Sequence, residues 1–320
     1  MDRRRFLRTL EAGALATVGP RLSRAQTGGP ETVIYKVANG CEIKADVYRT
    51  GDGTRTRRPA LLWIHGGALI MGSRKSGGPF QSKLLDMGYV VVSIDYRLAP
   101  ETKLPAILED LRDAYRWMRV EGGKRFGIDP DRIAAGGGSA GGYLTLMTGF
   151  WLEPRPRALV SYYGYGDIDG PWYSQPDDFY RKQPLVPEDE ARAAVGKTVV
   201  SEPPEHSDRP RFYLYCRQRG IWPNEVAGHD PHKEPKWFDP YCPVRNVTKA
   251  YPPALLIHGT ADTDVPYAES KTMAATLAAA GVEHEFVTVQ GAGHGLAGAT
   301  PEEKDHAAER AAAWVKSHTG

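Results

Sequence analysis

The chain has 320 residues, enough for one large α/β domain or two small ones with a substantial core. Apolar residues are 41% and charged residues 25%, the values of a globular protein, which excludes wholesale disorder. A net charge of +2, with acids spread among the lysines and arginines, excludes the basic footprint of a nucleic-acid binder.

The N-terminus departs from this balance. Asp2-Arg3-Arg4-Arg5-Phe6-Leu7-Arg8 precedes a mildly apolar stretch, Ala12 to Val18, and Ser23-Arg24-Ala25 offers a cleavage site before Gln26. The pattern is similar to a twin-arginine export signal, so residues 1–25 are expected to direct the protein to the periplasm or outside the cell. Asp2 stands where such signals carry Ser or Thr, and Arg21 and Arg24 follow the apolar stretch. Read instead as a basic arm, the segment leaves the protein in the cytoplasm. The stretch is too short to span a bilayer, and no later segment is apolar enough to do so. The three cysteines, Cys41, Cys216 and Cys242, are an odd set and not a disulfide framework. A Cys216–Cys242 bridge and buried free thiols both stay open.

After a polar linker at 27–31, Thr32 to Val37 and Glu42 to Tyr48 alternate apolar and polar residues around Asn39-Gly40, which predicts an antiparallel hairpin. Ala60 to Ile64 is a short apolar run of the kind found in buried strands. It ends in His65-Gly66-Gly67-Ala68 and a Gly- and Ser-rich loop. A helix over 79–87 and a second buried strand, Tyr89 to Ile94, follow; that strand ends at Asp95-Tyr96-Arg97-Leu98-Ala99-Pro100-Glu101. Pro105 suits the first turn of a helix, and Ile107, Leu108, Leu111, Ala114 and Met118 recur at helical spacing. A strand and turn at 132–139, a helix to about Leu152 and a strand from Arg157 to Tyr162 continue the alternation. Buried strands alternating with amphipathic helices imply a mostly parallel sheet with helices on both faces.

From Gly164 to Pro252 the alternation stops. This stretch holds 13 of the chain's 25 prolines, seven tyrosines, and Trp172, Trp222 and Trp237. Short helices are expected at 187–195 and 209–219 and little strand. So long an excursion within a compact domain reads as a lid or cap over the strand ends. The alternation resumes with a strand from Ala254 to His258, a helix over 267–280 stopped by Gly281, a strand from Glu283 to Val289, and a final helix. Thr300-Pro301-Glu302-Glu303 opens that helix with an N-cap, a first-turn proline and a capping-box glutamate.

Residues 137–141, Gly137-Gly138-Ser139-Ala140-Gly141, fit G-x-S-x-G between a strand and a helix. A nucleophile at the tip of so sharp a turn needs small residues two positions to either side, or their side chains collide with strand and helix. A serine hydroxyl also needs a base, and the base a carboxylate that fixes its tautomer. Asp262 and His294 follow in loops after the next two strands, so all three residues fall at carboxyl ends of parallel strands, where open α/β sheets place their sites. Asp264, two residues on, is the rival for the acid. An oxyanion hole needs backbone N–H donors; Ala140 supplies one, and Gly67 and Ala68 the others. His65 and His258, each at a strand end, are expected to make structural hydrogen bonds. His229 and His232 have no helix to align them and no third ligand nearby, so they do not read as a metal pair.

On these residues the chain resembles the hormone-sensitive-lipase-like and feruloyl- or acetyl-esterase-like serine esterases of the α/β-hydrolase superfamily. The matching pieces are His65-Gly66-Gly67-Ala68, Asp95 to Glu101, Gly137 to Gly142, Asp262 and His294, covering about residues 32 to 317. Ala68 replaces the family's usual third glycine, which keeps the N–H but narrows the acyl site. Gly138 stands where the elbow often carries an acid. His258-Gly259-Thr260-Ala261-Asp262 is similar to the acid loop of prolyl-oligopeptidase-type enzymes, whose first aspartate is the triad acid. The chain has no room for the large propeller of those peptidases.

The resemblance implies an α/β-hydrolase fold over 26–320 with a cap at about 164–252. It implies a serine esterase with Ser139, His294 and Asp262 as triad and Gly67, Ala68 and Ala140 as oxyanion hole. Trp172, Tyr173, Trp222 and Trp237 are candidates to line the substrate pocket. The expected partner is a small-molecule ester, with no metal or cofactor, no nucleic acid and no membrane span. A peptidase or amidase using the same triad, and a catalytically silent binding protein on the same fold, are the alternatives.

Overall fold

The protein is described by a computed structural model over residues 29–51 and 57–320. The expected export segment lies outside the described residues. β1 (Glu31–Ala38) and β2 (Cys41–Tyr48) pair antiparallel through a turn in which Asn39 and Gly40 both have left-handed backbones, the conformation that Asn-Gly favours. There follow β3 (Arg58–Ile64), α1 (Gln81–Asp86), β4 (Val90–Ile94), α2 (Leu104–Trp117), a π turn at Met118–Gly122 and α3 (Gly123–Phe126). β5 (Ile128–Gly138) and α4 (Ala140–Trp151) flank the serine, and β6 (Leu159–Tyr162) closes the first half.

The excursion contains α5 (Pro171–Ser174), α6 (Glu188–Ala193), α7 (Arg209–Arg219), α8 (Trp222–Ala227) and α9 (Pro243–Asn246), joined by loops and 3-10 turns and without a strand. β7 (Ala254–Gly259), α10 (Tyr267–Ala279), β8 (His284–Val289) and α11 (Pro301–Thr319) complete the chain. The expected capping box is formed: Thr300 Oγ1 accepts from the Glu303 N–H, and Glu303 Oε2 accepts from the Thr300 N–H.

The eight strands form one sheet in the order β1-β2-β4-β3-β5-β6-β7-β8. β2 runs antiparallel to β4, and every pair from β4 across to β8 is parallel. Side chains alternate between the faces. Ala60, Leu62 and Ile64 of β3 join the core beneath α2, α4 and the cap; Leu61 and Trp63 join the core beneath α1 and α11. β3, β4 and β7 are thus covered on both sides and read as largely apolar runs. α4 starts at the turn after β5 and buries ten of its twelve residues, fixing the serine turn within the core. Cys216 and Cys242 are separate buried thiols, so the bridge left open by the sequence is not formed. Among the described residues no helix is long and apolar enough to cross a membrane.

Candidate active site

Ser139 sits at the hairpin from β5 into α4 with a left-handed φ of 56° and ψ of −124°, an arrangement that strains any residue with a Cβ. Two contacts hold it there. Its N–H donates to Tyr162 O at 2.9 Å, and its carbonyl accepts from the Tyr143 N–H at 3.0 Å. The glycines on either side are required by space. A Cβ on Gly137 would overlap the Gly141 carbonyl, and one on Gly141 would overlap the Ile64 carbonyl. The elbow and the end of β3 therefore touch backbone to backbone. Gly138 has its own reason: a Cβ there would come within 3.1 Å of the Tyr163 ring.

The loops after β7 and β8 bring the other two residues to the serine. His294 Nε2 lies 3.1 Å from Ser139 Oγ, and its Nδ1 lies 2.8 Å from Asp262 Oδ2. A carboxylate only accepts, so Nδ1 carries the proton and Nε2 is left as an acceptor facing the serine hydroxyl. The side chain of Asp262 is fully buried and anchored four ways. Its Oδ1 accepts from the N–H groups of Asp264 and Val265, both at 2.9 Å, and its Oδ2 accepts from His294 and, at 3.2 Å, from His258 Nε2. Burial alone would raise this carboxyl. The charge of His294 and the hydrogen bonds from His258 and His294 outweigh that and hold it well below the usual carboxylate range. For His294, burial lowers the imidazole, but the charges of Asp264 and Asp262 and the Asp262 hydrogen bond win, and the net direction is up.

Asp262 rather than Asp264 therefore meets Nδ1. Asp264 nevertheless approaches the opposite nitrogen, with Oδ2 3.4 Å from His294 Nε2. His258 makes the structural bonds expected of it: Nε2 to Asp262 and to Val265 O, and Nδ1 to Ser270 Oγ at 2.7 Å. His65 stacks on Tyr96 at 4.2 Å, with Nδ1 2.7 Å from Gly66 O, and burial lowers it to about 4, so it stays neutral.

The loop after β3 lies beside the serine. A Cβ on Gly66 would be 3.2 Å from Ser139 Cβ. Gly67, Ala68 and Leu69 all have positive φ, which turns the chain sharply, and the Ile70 and Met71 N–H groups close the turn on Gly67 O at 2.9 Å each. Among the described residues, the N–H groups of Gly67, Ala68 and Ala140 are not spent on another backbone carbonyl. The segment Asp95 to Glu101 braces this loop. Tyr96 Oη donates to His65 O at 3.0 Å, and the Ala99 N–H donates to Leu69 O at 2.8 Å.

The four aromatic candidates for the pocket occupy the cap differently. Trp172, Tyr173 and Trp222 form one stack, with ring centroids 3.7 and 4.0 Å apart. Tyr173 and Trp222 are at 1% and 0% exposure and offer a ligand no surface; Trp222 instead donates its Nε1 hydrogen to Ala68 O at 2.9 Å, tying the cap to the loop after β3. Trp237 packs on His229 at 4.1 Å and near Tyr241, apart from that stack. The sequence reading missed two buried arginines of α7. Arg209 donates to Ile70 O, Ala99 O and Glu101, and Arg217 donates to Asp177 and Asp264. Apart from their place in a helix dense in aromatics, nothing in the sequence marks them.

Among the described residues neither His229 nor His232 meets a metal-ligand set: His229 faces Glu234, and His232 faces Ser174 O. Asp167, Asp169 and Cys242 do bring three ligand atoms within 4.8 Å of one another. Much of their capacity is already committed. Arg245 spans both oxygens of Asp169 at 2.8 and 2.9 Å, and Asp167 accepts from the N–H groups of Asp169 and Gly170. Burial also pushes the Cys242 thiol up, away from the thiolate a metal needs.

Comparison with known proteins agrees with this fold. Residues 61–224, just over half of the chain, match the family model described as alpha/beta hydrolase fold, and residues 213–320 match that of the prolyl oligopeptidase family. The non-reducing polyketide synthase ausA of Aspergillus calidoustus is 32% identical over 82% of this chain, which spans only 13% of that protein's length. A protein of unknown function from Staphylococcus aureus superposes with a TM-score of 0.73 at 20% identity, covering 91% of this chain and all of that one. A thermophilic esterase from Thermogutta terrifontis, solved with propionate bound, superposes at 0.63 with 22% identity over 91% of this chain and 95% of its own. With the sheet order, the serine elbow and the model match over half its length, the chain belongs to the α/β-hydrolase family.

Proposed function

We propose that the chain is a serine hydrolase that cleaves carboxylic esters through an acyl-enzyme. The observation that carries this reading is the continuous relay from Asp262 through His294 to Ser139, with contacts of 2.8 and 3.1 Å. Ser139 Oγ attacks the ester carbonyl carbon as its proton passes to His294 Nε2. The N–H groups of Gly67, Ala68 and Ala140 receive the oxyanion, and Asp262 stabilises the imidazolium. Collapse breaks the bond to the alcohol, which leaves with the Nε2 proton. A water then repeats the sequence in reverse, giving its proton to Nε2 as it attacks the acyl carbonyl, and the carboxylic acid departs as Ser139 regains its hydrogen. No cofactor takes part. Short acyl, acetyl and feruloyl or other aryl esters, of sugars among other alcohols, are the substrate class.

A second reading has one observation in its favour. The prolyl oligopeptidase match covers both the acid and the base loop, so peptide or amide bonds are the alternative substrate. A substrate panel separates the two: nitrophenyl acetate and butyrate, a feruloyl ester, an acetylated sugar, an aminoacyl nitroanilide and, because the sequence relatives are polyketide synthases, an acyl thioester. The ester reading expects ester turnover in the wild type, reduced by about 10⁴-fold or more in Ser139→Ala. Nitroanilide turnover that exceeds ester turnover favours the peptidase. A wild type that a fluorophosphonate does not label is a silent binding protein.

A further inference from the structure

Asp264 turns its two oxygens to opposite neighbours. Oδ2 faces the base, 3.4 Å from His294 Nε2. Oδ1 faces the cap and accepts from Tyr180 Oη at 2.7 Å, Tyr213 Oη at 2.6 Å and Arg217 Nη1 at 2.8 Å. Arg217 is fixed in turn. Its Nη2 donates to Asp177 at 2.6 Å, its Nη1 also reaches Asp264 O at 3.0 Å, and its guanidinium lies 4.7 to 5.7 Å from the ring centroids of Tyr180, Tyr173, Trp172 and Tyr213. The arginine side chain is 1% exposed. A turn aspartate needs none of these partners, and a cap needs no anchor placed against the catalytic imidazole.

We propose that Asp264 is a positioning residue through which the cap sets the basicity of His294; the proposal rests on the reading of Ser139 as the nucleophile. With the Nδ1 proton committed to Asp262, Nε2 presents a lone pair while the base is free and an N–H once it has taken the serine proton. A carboxylate 3.4 Å away repels the first state and attracts the second, so Asp264 favours the imidazolium that forms as Ser139 attacks. It takes no proton itself; the proton moves from Oγ to Nε2 and on to the leaving oxygen. The three cap donors on Oδ1 temper this attraction. Without them the carboxylate would hold the imidazolium too firmly for the proton to be returned.

Among the described residues, few charged and titratable groups face His294. Asp262 and Asp264 come from the loop after β7 and Arg217 from α7. Tyr163, at the end of β6, lies edge-on at 5.0 Å and is pushed up to about 12 by burial and by the charge of Asp262, so it stays neutral over the working range. Asp264 and Asp262 push the imidazole up, and Arg217 pushes it down. The sign follows. The base must be neutral to act, so kcat/KM falls as pH drops through the His294 value, and removing the Asp264 charge moves that fall to lower pH.

The test is the pH profile of a short-chain nitrophenyl ester, with active enzyme counted by fluorophosphonate titration. Asp264→Asn is expected to move the acid limb of kcat/KM to lower pH and to cut kcat about tenfold with KM little changed. Tyr180→Phe, which withdraws one cap donor without altering charge, moves the limb the opposite way and remains a test if Asp264→Asn does not fold. A residue that only supports the fold would lower the titrated amount of active enzyme and leave the limb in place. A labelled wild type whose acid limb is unmoved by either substitution overturns this proposal alone, and a wild type that is not labelled overturns the serine reading with it.

Discussion

The loops at the strand ends and the cap solve the same problem, holding a few polar groups in fixed places, by opposite means. At the strand ends the backbone does it. Ser139 is placed by a positive φ and by glycines whose missing Cβ atoms let β3 and the elbow touch, and Asp262 by two N–H groups of its own turn. In the cap, side chains do it. Two buried arginines, Arg209 and Arg217, pin α7 to the loops after β3, β4 and β7, and stacked aromatic rings fill the space between. A site held by backbone leaves small, spaced residues in the sequence. One held by side chains leaves only an aromatic, proline-rich composition, from which the partners cannot be read.

The largest effect should come from within the backbone-held part. Asp262→Asn keeps the shape but removes the charge that fixes the histidine tautomer, and kcat on an ester is expected to fall about 10⁴-fold. If Asp264→Asn proved the more damaging of the two in the same assay, the assignment of the acid would be reversed. Gly141→Ala is expected to destabilise the fold by about 3 kcal/mol in urea titration and to remove activity, because the added methyl meets the Ile64 carbonyl, which has no room to move. A near-wild-type midpoint would show that the elbow is softer than its contacts indicate.

The next two predictions probe the junction and the far end. Trp222→Phe keeps the stack but leaves Ala68 O without its donor, with a loss of about 2 kcal/mol and a lower kcat from a looser loop after β3. A loss of stability with kcat intact would mean that this bond holds the cap alone. Thr300→Ala opens the capping box of α11, far from the serine, and is expected to cost about 1 kcal/mol with unchanged kcat.

The same contrast explains what the sequence disclosed. The sheet, the hairpin, the capping box and the meeting of Ser139, His294 and Asp262 were legible because periodicity, turn residues and strand-end loops each carry a local physical requirement. Gly138 was legible as a departure, but its cause, the Tyr163 ring, was not, since it depends on a contact between β6 and the elbow. Among the aromatics, composition marked Trp222 and Tyr173 as pocket candidates. Their burial and Trp222's bond to Ala68 could only come from the packed cap. By its position alone Asp264 is a rival acid. Its place between His294 and Arg217 joins residues 30 and 47 positions apart, and no local pattern encodes that.

Trapping the intermediate tests the central claim most directly. Nitrophenyl acetate is mixed with the enzyme, the reaction is stopped in acid within the first turnover, and the peptides are read by mass spectrometry. The account predicts one acetyl group on the peptide containing Ser139 in the wild type and none in Ser139→Ala, with ester turnover lost alongside it. An acetyl group on another residue, or turnover that survives in Ser139→Ala, would contradict it.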